Sequence, residues 1–299
     1  MTPKGPTVAD TDWDRTVFAL IGPDAVARHL GPAVLERIET AGFAPLAWRV
    51  LWHRPAGLDA FHEVSIAHSW QAYRYRLVDQ LFAFGPAVAL LLADQRAGAG
   101  QTGHQRLKQA KGPSDPARSG PGTIRGDLGS INVMLSLLHS ADSAADSAAE
   151  SAVFAGPGGF ASGDPDELRT QLAMLQLGAP REDRGYHDVL AGLRARSLAA
   201  AWDDLPRPVR KTASAMLAVG PAEFGAPGGG ERLAALLPGA HPLADLLRAD
   251  FTPLSPGPSP ERAAAALAPF GTGIDAWESL VLATSRRFWP RGTGPAGPP

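Results

Sequence analysis

Arg125 and His139 have the residue types and the spacing that phosphoryl transfer requires. Arg125 lies in the run PGTIRGD (residues 121–127), and His139 follows it by fourteen residues at the start of HSADS. An imidazole nitrogen can attack phosphorus, a guanidinium can neutralise phosphate oxygens, and a carboxylate can hold the ring in one tautomer. The acidic segment directly behind His139 contains such carboxylates. This pattern favours phosphoryl transfer through a phosphohistidine.

Three segments, in this order, resemble the nucleoside diphosphate kinase family. They are IGPDAVAR (residues 21–28), the PGTIRGD run, and His139 with Asp142-Ser143 and, eleven residues after the histidine, Glu150. The family pattern for these three segments reads I-K-P-D-A-V-x-R, P-G-T-I-R-G-D and N-x-x-H-G-S-D-S. The likeness covers residues 15–155, about half the chain. The resemblance implies an α+β, ferredoxin-like (split βαβ) domain. It also implies an enzyme that moves the γ-phosphoryl group of ATP or another nucleoside triphosphate to a nucleoside diphosphate in ping-pong steps.

The same resemblance assigns roles to individual residues. His139 would carry the phosphoryl group, and Glu150 would hold its ring. Mg²⁺ would arrive with the nucleotide and bridge its phosphates, with few or no protein ligands, so no metal motif is expected. The phosphate groups would be bound by Arg125, by Lys108 (with Arg106 as a competitor) and by Ser114. Ser136 stands in place of the family asparagine at the nucleotide. Tyr73 (or Tyr75) is the nearest candidate for stacking on the base.

Several of these residues also have a purely structural interpretation. A histidine at a strand end is often a hydrogen-bonded residue of the scaffold. Arg125 could form an ion pair with Asp127, and Ser114 could be a turn residue. The two glycines beside Arg125 favour a tight loop around a phosphate over the ion pair.

The main departure from the family pattern is Gly22, which stands where the family has a lysine. A charge-assisted hydrogen bond contributes about 1.5–3 kcal/mol, and each 1.36 kcal/mol is about tenfold in rate. Loss of the lysine therefore predicts a rate that is lower by about ten- to a hundredfold. Arg28, Lys111 or a residue of the C-terminal half could supply the missing charge. Ser136 and Ala141 are further departures, because they replace the family asparagine and serine.

Local sequence signals predict the elements that position these residues. Apolar runs predict strands at 16–21, 46–52, 87–92 and 131–138, the last ending at the histidine. Pro23 opens a helix that carries apolar residues at four-residue spacing and ends at Gly42, and residues 60–84 form another. Asp142 or Ser143 caps a helix after His139. Asp142, Asp146 and Glu150 form an acidic stripe on it, from which we expect Glu150 to turn inward towards His139.

The C-terminal half has a different character. A glycine- and proline-rich linker at 156–164 separates the kinase-like domain (15–155) from an all-helical domain (165–290), and flexible tails are expected at 1–14 and 291–299. Asp164-Pro165 begins the first helix of this domain. Further helices are predicted at 186–202, 208–219, 231–237, 242–248, 259–267 and 274–288.

Composition limits the possible partners. The chain of 299 residues has no cysteine and a formal charge of −2, which predicts a protein of the cytoplasm that does not bind nucleic acid. No apolar run is long enough for a membrane span. The family resemblance also implies that the protein forms a homo-oligomer. An alternative function is a catalytically weak or inactive nucleotide-binding scaffold whose helical domain binds a protein partner.

Overall fold

The computed structural model describes residues 11–59, 72–96, 100–239, 241–250 and 258–288, without the side chains of 72–75, 287 and 288. The chain divides into two compact units. One comprises the residues up to Ser130 together with Leu135–Asp183, and the other comprises Ile131–Met134 together with the residues from Arg184 onward. The predicted tails at 1–10 and 291–299 and the start of the predicted helix at 60–71 lie outside the described residues.

An antiparallel sheet of four strands forms the centre of the first unit. Its strands are β1 (Thr16–Ile21), β2 (Phe43–Leu51), β3 (Ala87–Asp94) and β4 (Leu138–Ser140), in the spatial order β2-β3-β1-β4. All six residues of β1 are buried, which explains its continuous apolar sequence. Together with the helices described below, the sheet confirms the predicted α+β, ferredoxin-like fold.

The predicted helices of the first unit occur in the predicted order with one break, but the helices at 103–111, in a region predicted to be a loop, and at 124–127 were not predicted. The helices of this unit are α1 (Pro23–Ala27), α2 (Gly31–Thr40), α3 (Ala72–Phe84), α4 (Gly103–Lys111), α5 (Ile124–Asp127), α6 (Ala144–Ala155) and α7 (Pro165–Leu177). The single helix predicted from Pro23 to Gly42 is wrong. His29 has a φ of 57°, a left-handed conformation that ends one helix before the next begins. Val34 and Ile38 are nevertheless buried, as the apolar spacing predicts.

The last strand is much shorter than the predicted 131–138. Leu137 has a φ of 69°, which no strand residue adopts, so β4 starts at Leu138 and includes His139. Ile131–Met134 belongs to the second unit, where the Asn132 side chain is fully buried. The amide nitrogen of Asn132 donates to the hydroxyls of Thr284, at 2.8 Å, and Ser285, at 3.1 Å.

The helix after the predicted linker packs into the first unit. Leu168 and Leu172 of α7 are buried in the same apolar cluster as the sheet. Trp48 of β2 exchanges two backbone hydrogen bonds with Ala161, and its indole donates to Gln171 of α7 at 2.9 Å. The compact units are therefore divided at Asp183, whereas the linker was predicted at 156–164. The predicted domain limits remain a prediction about independent folding.

The regular elements of the second unit, in the part that the structure describes, are all helices. Its buried Arg194 donates to the carbonyl oxygens of Phe224, at 2.6 Å, and Leu247, at 3.0 Å, and pairs with Asp250. Buried backbone acceptors are thereby satisfied where short helices end. The helices are α8 (Tyr186–Ala200), α9 (Arg207–Val219), α10 (Ala222–Gly225), α11 (Gly229–Ala234), α12 (Ala244–Arg248), α13 (Pro260–Leu267) and α14 (Ala276–Phe288).

Candidate active site

His139 and Glu150 lie in direct contact at the edge of the sheet. His139 is paired with Leu20 of β1, and its side chain is 51% exposed. Its Nε2 lies 2.7 Å from Oε2 of Glu150, whose side chain is 11% exposed. A carboxylate accepts this hydrogen bond, so Nε2 carries the proton and Nδ1 keeps the free lone pair. The pair thus presents a nucleophilic nitrogen to solvent.

The helix that carries Glu150 starts at a side-chain cap. The hydroxyl of Ser143 accepts from the backbone nitrogen of Asp146 at 3.1 Å, so Ser143, and not Asp142, caps α6. Glu150 lies nearly two turns after the start of this helix. Glu150 of the acidic stripe is buried against the histidine, as expected, whereas Asp142 is exposed and Asp146, expected to be solvated, is half-buried.

A strained turn precedes His139 and is held by the segment 21–28. The backbone nitrogen of Leu138 donates to the Ser136 oxygen at 2.8 Å around Leu137, whose positive φ costs about 1–3 kcal/mol in a non-glycine residue. Oδ2 of Asp24 accepts from the Leu137 nitrogen at 2.9 Å, and the Gly22 nitrogen donates to the Leu137 oxygen at 2.9 Å. Burial raises the pKa of Asp24, and the bond to Leu137 opposes that rise. Two of the sequence motifs therefore meet at this turn.

Arg125 supports the backbone around His139. Its guanidinium donates to the oxygen of Gly112 at 2.9 Å, to the oxygen and hydroxyl of Ser136 at 3.0 and 3.2 Å, and to the oxygen of Leu138 at 2.6 Å. Arg125 is only 7% exposed, and burial lowers its pKa to about 10. Its alternative partner Asp127 pairs with Arg37 instead. The guanidinium is close to the histidine strand, but four hydrogen bonds to the protein already engage it.

The glycine of the PGTIRGD loop permits this close packing. Thr123 caps α5 by accepting from the Gly126 nitrogen at 3.1 Å. A Cβ atom on Gly126 would lie 2.2 Å from the oxygen of Gly120, which is too close for any other residue without a backbone shift. The sequence of the loop thus serves to place Arg125 beneath β4.

The other predicted binding residues have different surroundings. Lys108 is exposed and forms an ion pair with Asp142 at 3.1 Å. Arg106, its competitor, is engaged by Asp94 on the other side of α4. Ser114 is half-buried in the loop after α4. The hydroxyl of Ser136 accepts from Arg125, and the side chain of Tyr73 lies outside the described part of the chain.

Lys111 is a buried cation that the sequence indicated only as one of several possible sources of charge. Its Nζ donates to the hydroxyl of Ser140 at 2.8 Å and to the Ser140 oxygen at 3.3 Å. Burial lowers its pKa to about 7, with a further contribution from Arg125. The sequence signal is its position on α4, because Leu107 and His104 precede it at helical spacing and are also buried.

Comparisons with known proteins find similarity over the N-terminal half. A family model described as "Nucleoside diphosphate kinase" matches residues 14–158. The nucleoside diphosphate kinase of Dehalococcoides mccartyi strain 195 is 31% identical over 141 residues, which are 47% of this chain and 91% of that relative. The corresponding protein of Streptomyces avermitilis is 35% identical over 127 residues, 42% of this chain and 85% of the relative. The chain belongs to the nucleoside diphosphate kinase family.

A solved structure of a nucleoside diphosphate kinase family protein from Babesia bovis is also similar. It is 24% identical, with a TM-score of 0.40, and the likeness covers 50% of this chain and 94% of that one.

Gly22, the position of the missing family lysine, has no room for a side chain as the site is built. A Cβ atom there would lie 2.4 Å from Oδ1 of Asp24, the carboxylate that holds the turn before His139. The departure from the nucleoside diphosphate kinase pattern is therefore coupled to the position of Asp24. A lysine at this position requires the Asp24 side chain to turn.

Neither a metal cluster nor a membrane-crossing helix occurs in the part of the chain that the structure describes. No group of three or more histidine, aspartate or glutamate side chains there could hold a metal ion. No described helix combines the length and the apolar character needed to cross a bilayer.

Proposed function

We propose that this protein is a nucleoside diphosphate kinase that works through phosphohistidine at His139. The observation that carries the proposal is the 2.7 Å contact between Nε2 of His139 and Glu150 in a half-exposed histidine. This contact leaves Nδ1 with its lone pair directed away from the carboxylate. The family membership of residues 14–158 supplies the substrate class, a nucleoside triphosphate donor and a nucleoside diphosphate acceptor.

The first half-reaction forms one bond and breaks one. Nδ1 of His139 attacks the γ-phosphorus, the bond from that phosphorus to the β,γ-bridging oxygen breaks, and the oxygen leaves on the nucleoside diphosphate with its electron pair. The ring becomes positively charged as the P–N bond forms. Glu150 stabilises that charge through Nε2, as a carboxylate does for an imidazolium.

The second half-reaction reverses these steps with a different nucleotide. A β-phosphate oxygen of the acceptor diphosphate attacks the phosphorus, the P–N bond breaks, and Nδ1 regains its lone pair. Lys108, the exposed cation of α4, would exchange Asp142 for a phosphate group. Because the protein does little covalent chemistry in such a transfer, the rate should depend mainly on how the phosphates are positioned and how their charge is neutralised.

The family resemblance extends the proposal to a cytoplasmic homo-oligomer that takes Mg²⁺-nucleotide. No observation in the described part of the chain favours the alternative, a scaffold without catalytic activity that binds a protein partner through its helical unit.

The test is incorporation of phosphate from γ-labelled ATP into the purified full-length protein. We expect acid-labile, base-stable phosphate in the wild type, its loss on addition of a nucleoside diphosphate, and none in His139→Ala. His53→Ala is the matched control, because His53 is an exposed histidine and its removal should not alter labelling. A wild type that takes up no such phosphate, or labelling that survives in His139→Ala, would contradict the proposal.

A further inference from the structure

Lys111 is a nearly buried amine next to the residue that follows His139. It is 6% exposed, at the end of α4, and both of its hydrogen bonds go to Ser140 of β4. Lysine is seldom buried without a charged partner. None of the ion pairs among the described residues includes Lys111. The burial of this lysine without an ion-pair partner is therefore unusual, and stability alone does not explain it.

The charged groups that act on Lys111 come from four different segments. Arg125 of α5 and Lys108 of α4 oppose its positive charge, whereas Asp142, after β4, and Glu150 of α6 favour it. Burial is the largest influence and acts against the charge, so its pKa falls to about 7. A small change in nearby charge is enough to change its protonation state near neutral pH.

The other cations of the site are less available for this purpose. Arg125 is engaged by backbone oxygens, and Lys108, which is exposed and paired with Asp142, would bind a phosphate group of the nucleotide. Gly22 contributes no charge at all. A phosphoryl group on His139 adds up to two negative charges to the ring that Glu150 contacts, and the charge of Glu150 already acts on Lys111.

We propose that Lys111 is a positioning residue for phosphoryl transfer, which holds β4 through Ser140 and takes up a proton from solvent when His139 is phosphorylated. This inference rests on the proposed function. The resulting ammonium offsets the charge that the phosphoryl group brings to the site, in place of the ammonium missing at Gly22. The proton is released again when the phosphoryl group leaves on the acceptor nucleotide.

The experiment measures the single-turnover rate of His139 phosphorylation from labelled ATP between pH 6 and 9 in the full-length protein. In the wild type, we expect the rate to fall above about pH 7. Lys111→Met should slow phosphorylation about tenfold at pH 6, which corresponds to the loss of one charge-assisted interaction. The same variant should also show a weaker fall in rate above about pH 7. Lys211→Met is the matched control, since Lys211 is an exposed lysine of α9, and its rates should equal those of the wild type.

A double variant separates the charge from the packing. Lys111→Met with Ser140→Ala removes both partners of the buried hydrogen bond, which should restore much of the thermal stability lost in the single variant. If the charge matters, the double variant stays slow. If it regains the wild-type rate, or if Lys111→Met phosphorylates as fast as the wild type at every pH, the inference is overturned. A wild type that forms no phosphohistidine overturns the proposed function, and the inference with it.

Discussion

Oε2 of Glu150 lies 2.7 Å from Nε2 of His139, although the two residues belong to a helix and a strand eleven positions apart. The contact sets the tautomer of the ring, and the exposure of His139 leaves its other nitrogen accessible. A histidine held in this way differs from a surface histidine that rotates freely. The contact is also the most direct target for mutation.

Glu150→Gln should slow phosphohistidine formation while the protein stays folded. The amide can accept from Nε2 but carries no charge to stabilise the imidazolium, so we expect a loss of about ten- to a hundredfold in the single-turnover rate. Asp146→Asn, on the same helix, is the control and should stay within about twofold of the wild type. Equal rates for Glu150→Gln and the wild type would show that the contact is structural only.

Gly22→Ala should destabilise the protein, because the added methyl group approaches Oδ1 of Asp24. Overpacking of this kind costs about 1–3 kcal/mol in the free energy of unfolding, measured by urea denaturation. Gly85→Ala is the matched control, since a Cβ atom there meets nothing within 4 Å. An unchanged stability in Gly22→Ala would mean that Asp24 turns aside easily, in which case Gly22→Lys becomes a feasible restoration of the family residue.

Arg125→Met should lower the free energy of unfolding by at least about 3 kcal/mol, because it leaves several buried acceptors unsatisfied. The affected groups are the oxygens of Gly112, Ser136 and Leu138. Arg118→Met, at an exposed arginine in the preceding loop, should have little effect in the same denaturation experiment. A stable Arg125→Met variant that binds nucleotide poorly would instead identify Arg125 as a phosphate ligand and not a structural support.

The lowered pKa of Lys111 predicts a specific dependence of stability on pH. Its pKa is about 7 in the folded protein and 10.5 as the reference value, so between these values the unfolded chain binds the proton and the folded protein does not. Stability from this group therefore rises with pH across that window, by up to about 1.4 kcal/mol per pH unit. Below about pH 7 both states are protonated, and the dependence disappears.

The measurement is urea denaturation of the wild type and Lys111→Met at several pH values between 6 and 10. The difference in unfolding free energy between the two proteins should change across the window and be constant below it. A difference that is the same at every pH would show that Lys111 keeps its proton in the folded state.

Local signals in the sequence were sufficient for much of the fold. The apolar run at 16–21 forms β1 with the predicted limits, and Asp164-Pro165 begins α7, where the Asp164 carboxylate accepts from the Asp166 nitrogen. Such signals act over a few residues, so they survive whatever the rest of the chain does. The helices of the second unit, except the short α10, were predicted within a few residues for the same reason.

The break at His29 and the late start of β4 were outside the reach of these signals. Both depend on non-glycine residues with positive φ, His29 and Leu137, which local propensity disfavours. At Leu137 the conformation is held by Asp24 and Gly22, more than 110 positions away. Only tertiary contacts can compensate the strain, so no window of sequence predicts it.

In the candidate site, too, some features follow from local sequence and others from tertiary contacts. The sequence by itself determined the residue types, the motif order and the placement of Glu150 on a helix behind His139, because motif spacing and capping act along the chain. The tertiary structure alone decided that Arg125 binds backbone oxygens, and that Lys111 lies buried against Ser140. Burial and hydrogen bonding between distant segments set the charge and the orientation of a side chain, and neither can be read from its neighbours in sequence.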